Sequence, residues 1–502
     1  MKNFFCLILG LVVAGLIMAM PGSIFISWEI QATAAVTILM IIWWVTEAVP
    51  IPATALVPLV GFPLFGVLTP AEACAPYADK TIFLFLGGFI IAASMQRWNL
   101  HRRIALSIIL LTGTSPKQII LGFMVATAFL SLWISNTATA MMMIPIAVAI
   151  IGTISVDAFK NKGEEDGGYD FAKALVISIA YAASIGGLGT IIGSPPNGIF
   201  LAQLKTLFPD APTIGFVDWM LFGIPLVAIF IPLTWLWLVY GPYRHLPSKL
   251  PQSREIINAE KNKLGIMSTG ERWTLIVFVM TALMWIFSST KKIGEFTIPG
   301  LDIMFPGIDD STIAMFGAIL LFILPINIRT REYTMNWDTA LKIPWGILLL
   351  FGGGICLSKA FIKSGLADVL VKHLTALSVL DVLYIILLVA ILVSFLTEVT
   401  SNTAIASVMM PILAVTSVSL MINPIFLMLT AALTASLAFM LPVATPPNAV
   451  GYSTGYLNMR DLMRTGFILN LVGIILVTIF MYTIVLWALG ISFDLPVWAK
   501  TP

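Results

Sequence analysis

The sequence predicts an all-α polytopic membrane protein, with about 11 transmembrane helices plus two re-entrant hairpins in two inverted repeats. Three observations carry that prediction: the composition, a tetrapeptide that occurs twice, and the placement of the basic residues. Of 502 residues, 59% are hydrophobic and 10% are charged, against about 25% charged in soluble domains. Mean hydropathy is +1.00. Such a chain leaves little room for a folded extramembrane domain, and a net charge of +2 is too small to suggest a nucleic-acid partner. Cys6, Cys74 and Cys356 make neither a metal spacing nor a disulfide framework. The three histidines, His101, His245 and His373, sit near expected membrane boundaries. That disfavours His-based catalysis or a zinc site, and with them an intramembrane enzyme.

The first apolar run, 4–20, follows a single Lys2 and is read as a retained helix, because Ala19-Met20-Pro21 makes a poor cleavage site. The expected crossings are 4–20, 33–48, 53–68, 82–96, 174–206 (broken), 219–241, 273–288, 313–328, 345–360, 424–456 (broken) and 465–488. Two further apolar regions, 118–153 and 381–420, do not fit as single crossings. Each reads as two half-length arms with Ser-Asn-Thr at the tip, that is, a re-entrant hairpin.

The two halves align at a constant offset. Gly87-Gly88 matches Gly353-Gly354, Leu100 matches Leu366, Ser135 matches Ser401 and Pro145 matches Pro411, each pair 266 apart. Four landmarks at one offset mean duplication. A Pro-Pro-Asn follows each copy, at Pro195-Pro196-Asn197 and Pro446-Pro447-Asn448, offset by 251 because the polar linker 158–173 lengthens the first half by 15 residues. The chain thus divides into N-terminal helices 1–81, a first repeat 82–242, a cytoplasmic linker 243–272 and a second repeat 273–488.

Basic residues set the orientation. Arg97, His101, Arg102 and Arg103 form one cluster, and Arg244, Lys249, Arg254, Lys261, Lys263 and Arg272 form the largest. Arg329 with Arg331, and Arg460 with Arg464, form two more. Placing all of them in the cytoplasm puts the N-terminus inside and the C-terminus outside. The first hairpin then enters from the cytoplasm and the second from the outside. Lys359, Lys363 and Lys372 are the exception, falling at or beyond the outer face.

Backbone that leaves a helix at membrane depth is tolerated only where it is buried in protein or lines a cavity. Paired breaks in two halves are the sequence mark of a transporter's central site. Ser and Asn are good N-caps and proline suits a first helical turn, so each motif ends one arm and starts another. Restarting arms aim N–H groups and a positive dipole end at an anion. Ending arms offer carbonyl oxygens to a hard cation such as sodium. Asn and Thr side chains serve either ligand. No Lys, Arg or His lies within the four motifs. A doubly charged anion there needs bound cations, because unpaired charge at low dielectric is expensive.

Helix packing by small residues is the alternative for Ser-Asn-Thr-Ala, and duplication of the whole pattern disfavours it. Glu398, beside the second motif, is a functional candidate as an intramembrane carboxylate. A structural partner for a backbone amide or a lysine accounts for it equally well. Glu47 is similar but near an interface. The Gly87-Gly88 and Gly352-Gly353-Gly354 runs are expected at close helix contacts, and Met141–Met143 in the core.

Ser135-Asn136-Thr137-Ala138-Thr139-Ala140, Thr400-Ser401-Asn402-Thr403-Ala404, Gly193-Ser194-Pro195-Pro196-Asn197 and Pro442-Val443-Ala444-Thr445-Pro446-Pro447-Asn448 resemble the signatures of the divalent anion:sodium symporters. The resemblance covers essentially the whole chain and is most like the bacterial sodium/dicarboxylate branch. It implies a homodimer in a bacterial inner membrane, each protomer with a scaffold and a transport domain that moves elevator-fashion. It also implies sodium-driven import of succinate, malate and fumarate. A first sodium site would use Ser131, Ser135, Asn136 and the Gly193 carbonyl. A second would use Thr397, Ser401, Asn402 and the Ala444 carbonyl. The substrate would meet Ser135, Asn136, Thr137, Ser194, Pro195, Ser401, Asn402, Thr403, Thr445 and Pro446. The family also holds citrate and sulfate carriers and sodium-independent exchangers.

Overall fold

Among the described residues, six helices are long and apolar enough to cross a membrane: Trp28–Thr46, Pro70–Arg97, Phe216–Tyr240, Trp345–Ser364, Asn402–Ser419 and Met459–Leu489. They were located in a computed structural model that describes all residues except 1, 22–26, 114, 153–167, 248–252, 294–295, 368, 370–379 and 500–502. Lys249, Lys372, His373 and most of the linker 158–173 therefore lie outside the described residues. Beyond helices, only two small antiparallel hairpins are described, 291–298 and 325–333.

Helices α1 (Lys2–Ala19) and α2 (Trp28–Thr46) pack on each other at the N-terminus. The stretch expected as a crossing at 53–68 is instead two short helices, Ile51–Thr54 and Val57–Leu64. Pro52, Pro58 and Pro63 remove amide donors there and bend the path. Then come α3 (Lys80–Arg97), capped by Asp79, and α4 (Leu100–Thr112). No crossing or hairpin was expected over α4, because its first turn carries His101, Arg102 and Arg103. The first hairpin is α5 (Pro116–Ser131) and α6 (Asn136–Ile151), 16 residues each. At about 1.5 Å per residue each arm reaches about 24 Å, short of the about 30 Å hydrocarbon core.

The first broken helix is α7 (Gly168–Gly186) and α8 (Pro195–Leu207), followed by α9 (Phe216–Tyr240). A linker helix α10 (Ser253–Lys263) precedes α11 (Thr269–Ile286), α12 (Asp310–Ile323) and α13 (Trp345–Ser364). Helix α12 stops before the expected 328, because Pro325 and the following strand take over the chain. The second hairpin is α14 (Val382–Leu396) and α15 (Asn402–Ser419). The second broken helix is α16 (Pro424–Thr434) and α17 (Pro446–Ser453), and α18 (Met459–Tyr482) closes the set.

Packing repeats with the sequence. Helix α7 lies against both arms of the first hairpin, as α16 lies against both arms of the second. The broken helices cross, α7 against α17 and α8 against α16, so all four inner ends meet in one place. Small residues allow the close approaches that the glycine runs suggest. A Cβ on Gly87 would lie 2.5 Å from the Ala314 carbonyl carbon, and one on Gly353 would lie 2.5 Å from the Ala55 carbonyl oxygen.

The basic clusters gather on one face. Arg103 Nε donates to Glu271 Oε1 at 2.5 Å, Arg102 pairs with Glu260, and Trp98 Nε1 donates to the Thr334 carbonyl at 2.7 Å. On the opposite face, Lys363 Nζ pairs with Glu72 at 2.6 Å and Lys359 Nζ reaches the Glu72 carbonyl at 3.5 Å.

Candidate functional site

Each hairpin tip folds onto the adjacent break through the same hydrogen bonds. In the first half, Ser131 Oγ lies 2.7 Å from Asn136 Oδ1 and donates to the Ala183 carbonyl at 2.6 Å. In the second, Thr397 Oγ1 meets Asn402 Oδ1 at 2.6 Å and the Ala435 carbonyl at 2.8 Å. Asn197 Nδ2 ties the first break by donating to the Gly187 and Thr190 carbonyls at 3.0 and 2.8 Å. Asn448 Nδ2 does the same for the second, to the Ala438 and Leu441 carbonyls at 3.0 and 3.1 Å. Gly187, Thr190 and Asn197 are each 251 residues before Ala438, Leu441 and Asn448. The bonds within the two breaks thus repeat residue for residue, while the hydroxyl acceptors Ala183 and Ala435 are 252 apart, one residue out of register.

The two breaks touch across the centre. Ser194 Oγ lies 2.9 Å from Ser436 Oγ, both fully buried. Helices α8 and α17 begin at Pro195 and Pro446, as the proline positions require. Ser135 caps α6, accepting from Ala138 N at 3.4 Å, whereas Ser401 makes no side-chain cap on α15. Ser131 and Thr397 are fully buried; Ser135, Asn136, Thr137, Ser401, Asn402 and Thr403 are half-buried and open to a ligand. Thr445 is buried and its Oγ1 has no partner among the described residues, while Pro446 is exposed and Pro195 half-buried.

The first half-site is an oxygen cluster. Asn136 Oδ1 faces acceptors, and turning its amide over would let Nδ2 donate to Ser131 Oγ, Ala183 O and Gly193 O at 2.7, 3.0 and 3.2 Å. With the oxygen inward, those groups converge without a donor between them except the Ser131 hydroxyl. A hard cation relieves that crowding and prefers such oxygen ligands. Gly187 and Gly193 allow the approach, since a Cβ on Gly187 would stand 2.6 Å from Asn136 Oδ1 and one on Gly193 would stand 2.7 Å from Gly187 O. With the amide oxygen inward the groups are all oxygens, the ligand type a sodium ion takes; with the amide turned over, its Nδ2 satisfies the same acceptors.

Glu398 is a partner for backbone amides. Its Oε1 accepts from Phe439 N at 2.8 Å, Met440 N at 3.0 Å and Asn470 Nδ2 at 2.7 Å, and its Oε2 accepts from Met440 N and Leu441 N, both at 3.1 Å. It is buried, and it holds the second break by its backbone amides. Sequence reasoning left open whether Glu398 was functional or a partner for a backbone amide, and missed Asn470, which lies 72 residues away. Trp133 was missed as well: it stacks on Phe216 with centroids 5.9 Å apart and on Trp285 at 6.5 Å, seating the first tip against an aromatic wall. The Met141–Met143 run is not all core. Met143 is buried, but Met141 is 52% exposed and lines a cavity beside the first tip.

Crossed broken helices and paired hairpin tips around one buried polar centre define a membrane transporter of the inverted-repeat class. Two solved structures share the fold: MtrF of Neisseria gonorrhoeae, whose title describes antimetabolite efflux pumps (TM-score 0.57, 11% identity, 84% of each chain), and the YdaH transporter of Alcanivorax borkumensis (TM-score 0.56, 14% identity, 92% of this chain and 99% of that one). The family model described as sodium:sulfate symporter transmembrane region matches residues 1–490, and the chain belongs to that family, the divalent anion:sodium symporters. The chain is a transporter, not an enzyme, and sodium is its coupling ion. The chain is 42% identical to the sodium-dependent dicarboxylate transporter SdcS of Staphylococcus saprophyticus, over 92% of this chain and 87% of that one. It is 41% identical to SdcS of Staphylococcus aureus strain RF122, over 93% and 88%.

Proposed function

We propose that the chain imports C4-dicarboxylates such as succinate, malate and fumarate into the cell, driven by sodium. The observation that carries this reading is the doubled half-site: two Ser-Asn-Thr tips, each with an oxygen cluster behind it and half-buried Asn and Thr groups in front. Two such faces suit a ligand with a carboxylate at each end. Ser131, Ser135, Asn136 and the Gly193 carbonyl hold one cation; Thr397, Ser401, Asn402 and the Ala444 carbonyl hold the other. Asn136, Thr137, Ser194, Asn402, Thr403 and Thr445 bind the carboxylates. The cations supply the positive charge that the motifs lack.

In this reading the protein is a homodimer in the bacterial inner membrane, N-terminus inside and C-terminus outside. The helices that carry the site move as one body against the remaining scaffold. Proteoliposomes should take up labelled succinate only with an inward sodium gradient, with net positive charge. Uptake unchanged when choline replaces sodium would overturn the reading and favour a dicarboxylate exchanger. Citrate or sulfate competing far better than any four-carbon dicarboxylate would reassign the substrate within the family.

A further inference from the structure

A cavity of about 500 Å³ runs from the first hairpin tip, where Ser135 and Thr137 line it, to Arg97 and Lys342 on the basic face. Its described wall contains none of the second tip and no carboxylate. Arg97 is partly neutralised: its Nη2 lies 3.8 Å from Glu332 and its Nη1 donates to the Thr334 carbonyl at 3.4 Å. Lys342 differs. It is exposed, sits just before α13, and its ammonium has no hydrogen-bond or ion-pair partner among the described residues. Asp338, one turn earlier, is not paired with it and does not line the cavity. The rest of the wall is largely apolar, with Phe89, Ile134 and Met141 among its residues. A free cation at the mouth of a low-dielectric cleft focuses its field into the cleft and raises the local concentration of anions.

We propose that Lys342, supported by Arg97, is an anion-recruiting site at the basic-face mouth of this cavity, which receives a dicarboxylate before or after it occupies the Ser-Asn-Thr tips. The inference rests on the anion-transport reading above and adds to it a sidedness. Among the described residues that line the cavity, the fixed positive charges, Arg97 and Lys342, both lie at the end away from the tip, so substrate entering or leaving through that face meets them.

The test compares right-side-out with everted membrane vesicles carrying wild type, Lys342→Gln, Lys342→Arg, Lys342→Glu and, as a control at the opposite face, Lys363→Gln. Labelled succinate is titrated at saturating sodium in each orientation. Lys342→Gln should raise KM at the basic face about threefold to tenfold, the low end of electrostatic focusing, and leave KM at the other face unchanged. Lys342→Glu should raise it further, and Lys342→Arg should restore it. Raising ionic strength with choline chloride should shrink the wild-type advantage, since exposed charges are screened. A Lys342→Gln KM that is unchanged at the basic face, or that shifts equally at both faces, overturns the proposal. So does a shift of the same size in Lys363→Gln. Wild-type vesicles that move no dicarboxylate in either orientation would instead sink the reading of function on which it rests.

Discussion

The two half-sites present matching candidate ligands but are held together by different means. The first break is rich in glycine: Gly186, Gly187, Gly189 and Gly193 stand where the second has Leu437, Ala438, Met440 and Ala444, each pair 251 apart. Close backbone packing holds it, with Thr190 Oγ1 donating to the Leu132 carbonyl and accepting from Gly193 N at 3.1 Å. A Cβ on Gly189 would run into Leu132, with Val227 Cγ2 3.3 Å away. The second break carries side chains and cannot close as tightly. There Glu398, the counterpart of Leu132 at offset 266, gathers three backbone amides and the Asn470 amide. One geometry is reached by deleting side chains, the other by inserting a buried charge. A geometry can thus be kept while its support is rebuilt.

The largest expected effect tests the sameness of the ligands. Asn136→Ala and Asn402→Ala each leave a desolvated charge unpaired, about 1–3 kcal/mol or more, so both should nearly abolish succinate uptake in well-folded, membrane-inserted protein. Near-normal uptake by either variant would remove its motif from the mechanism. A packing-only role predicts loss of folded protein instead, which expression level and detergent-solution homogeneity reveal.

The difference in support comes next. Gly193→Ala places a methyl against the Gly187 carbonyl and should raise the half-saturating sodium concentration markedly, whereas Ala444→Gly, its counterpart, should cost only about 0.5–1 kcal/mol of backbone entropy. Glu398→Gln sets an amide NH₂ against donors and should lower thermal stability by about 1–3 kcal/mol. Leu132→Met should cost under about 1.5 kcal/mol. Equal melting shifts for Glu398→Gln and Leu132→Met would erase the contrast.

The smallest effect concerns the ions alone. Ser131→Ala and Thr397→Ala remove one hydroxyl each from behind the amides. They should raise the sodium needed for half-maximal uptake while substrate KM at saturating sodium stays near wild type. A sodium titration that does not move in either variant would remove these hydroxyls from the cation sites.

Much of this arrangement was legible in the chain. The constant offsets located both tips and both breaks, and absence of charge from the motifs pointed to cations. What local pattern could not supply were partners distant in sequence. Asn470 reads as one polar residue in an apolar helix until the fold sets it against Glu398. Arg97 and Lys342 belong to different halves and meet only at the cavity. Helix α4 was overlooked because its basic first turn looks like a loop. The bend at 51–64 was hidden because apolar content was read there and its three prolines were not weighed.

The hydroxyl pair at the centre carries a record of descent. Ser194 bonds Ser436, but the counterparts of these residues are Thr445 and Ile185, which cannot form the matching bond. Thr445 Oγ1 is correspondingly without a partner among the described residues. In an ancestor made of two identical half-length chains, symmetry would have required both bonds or neither. One bond in place of two belongs to a period after duplication, when each half was free to evolve apart from its twin.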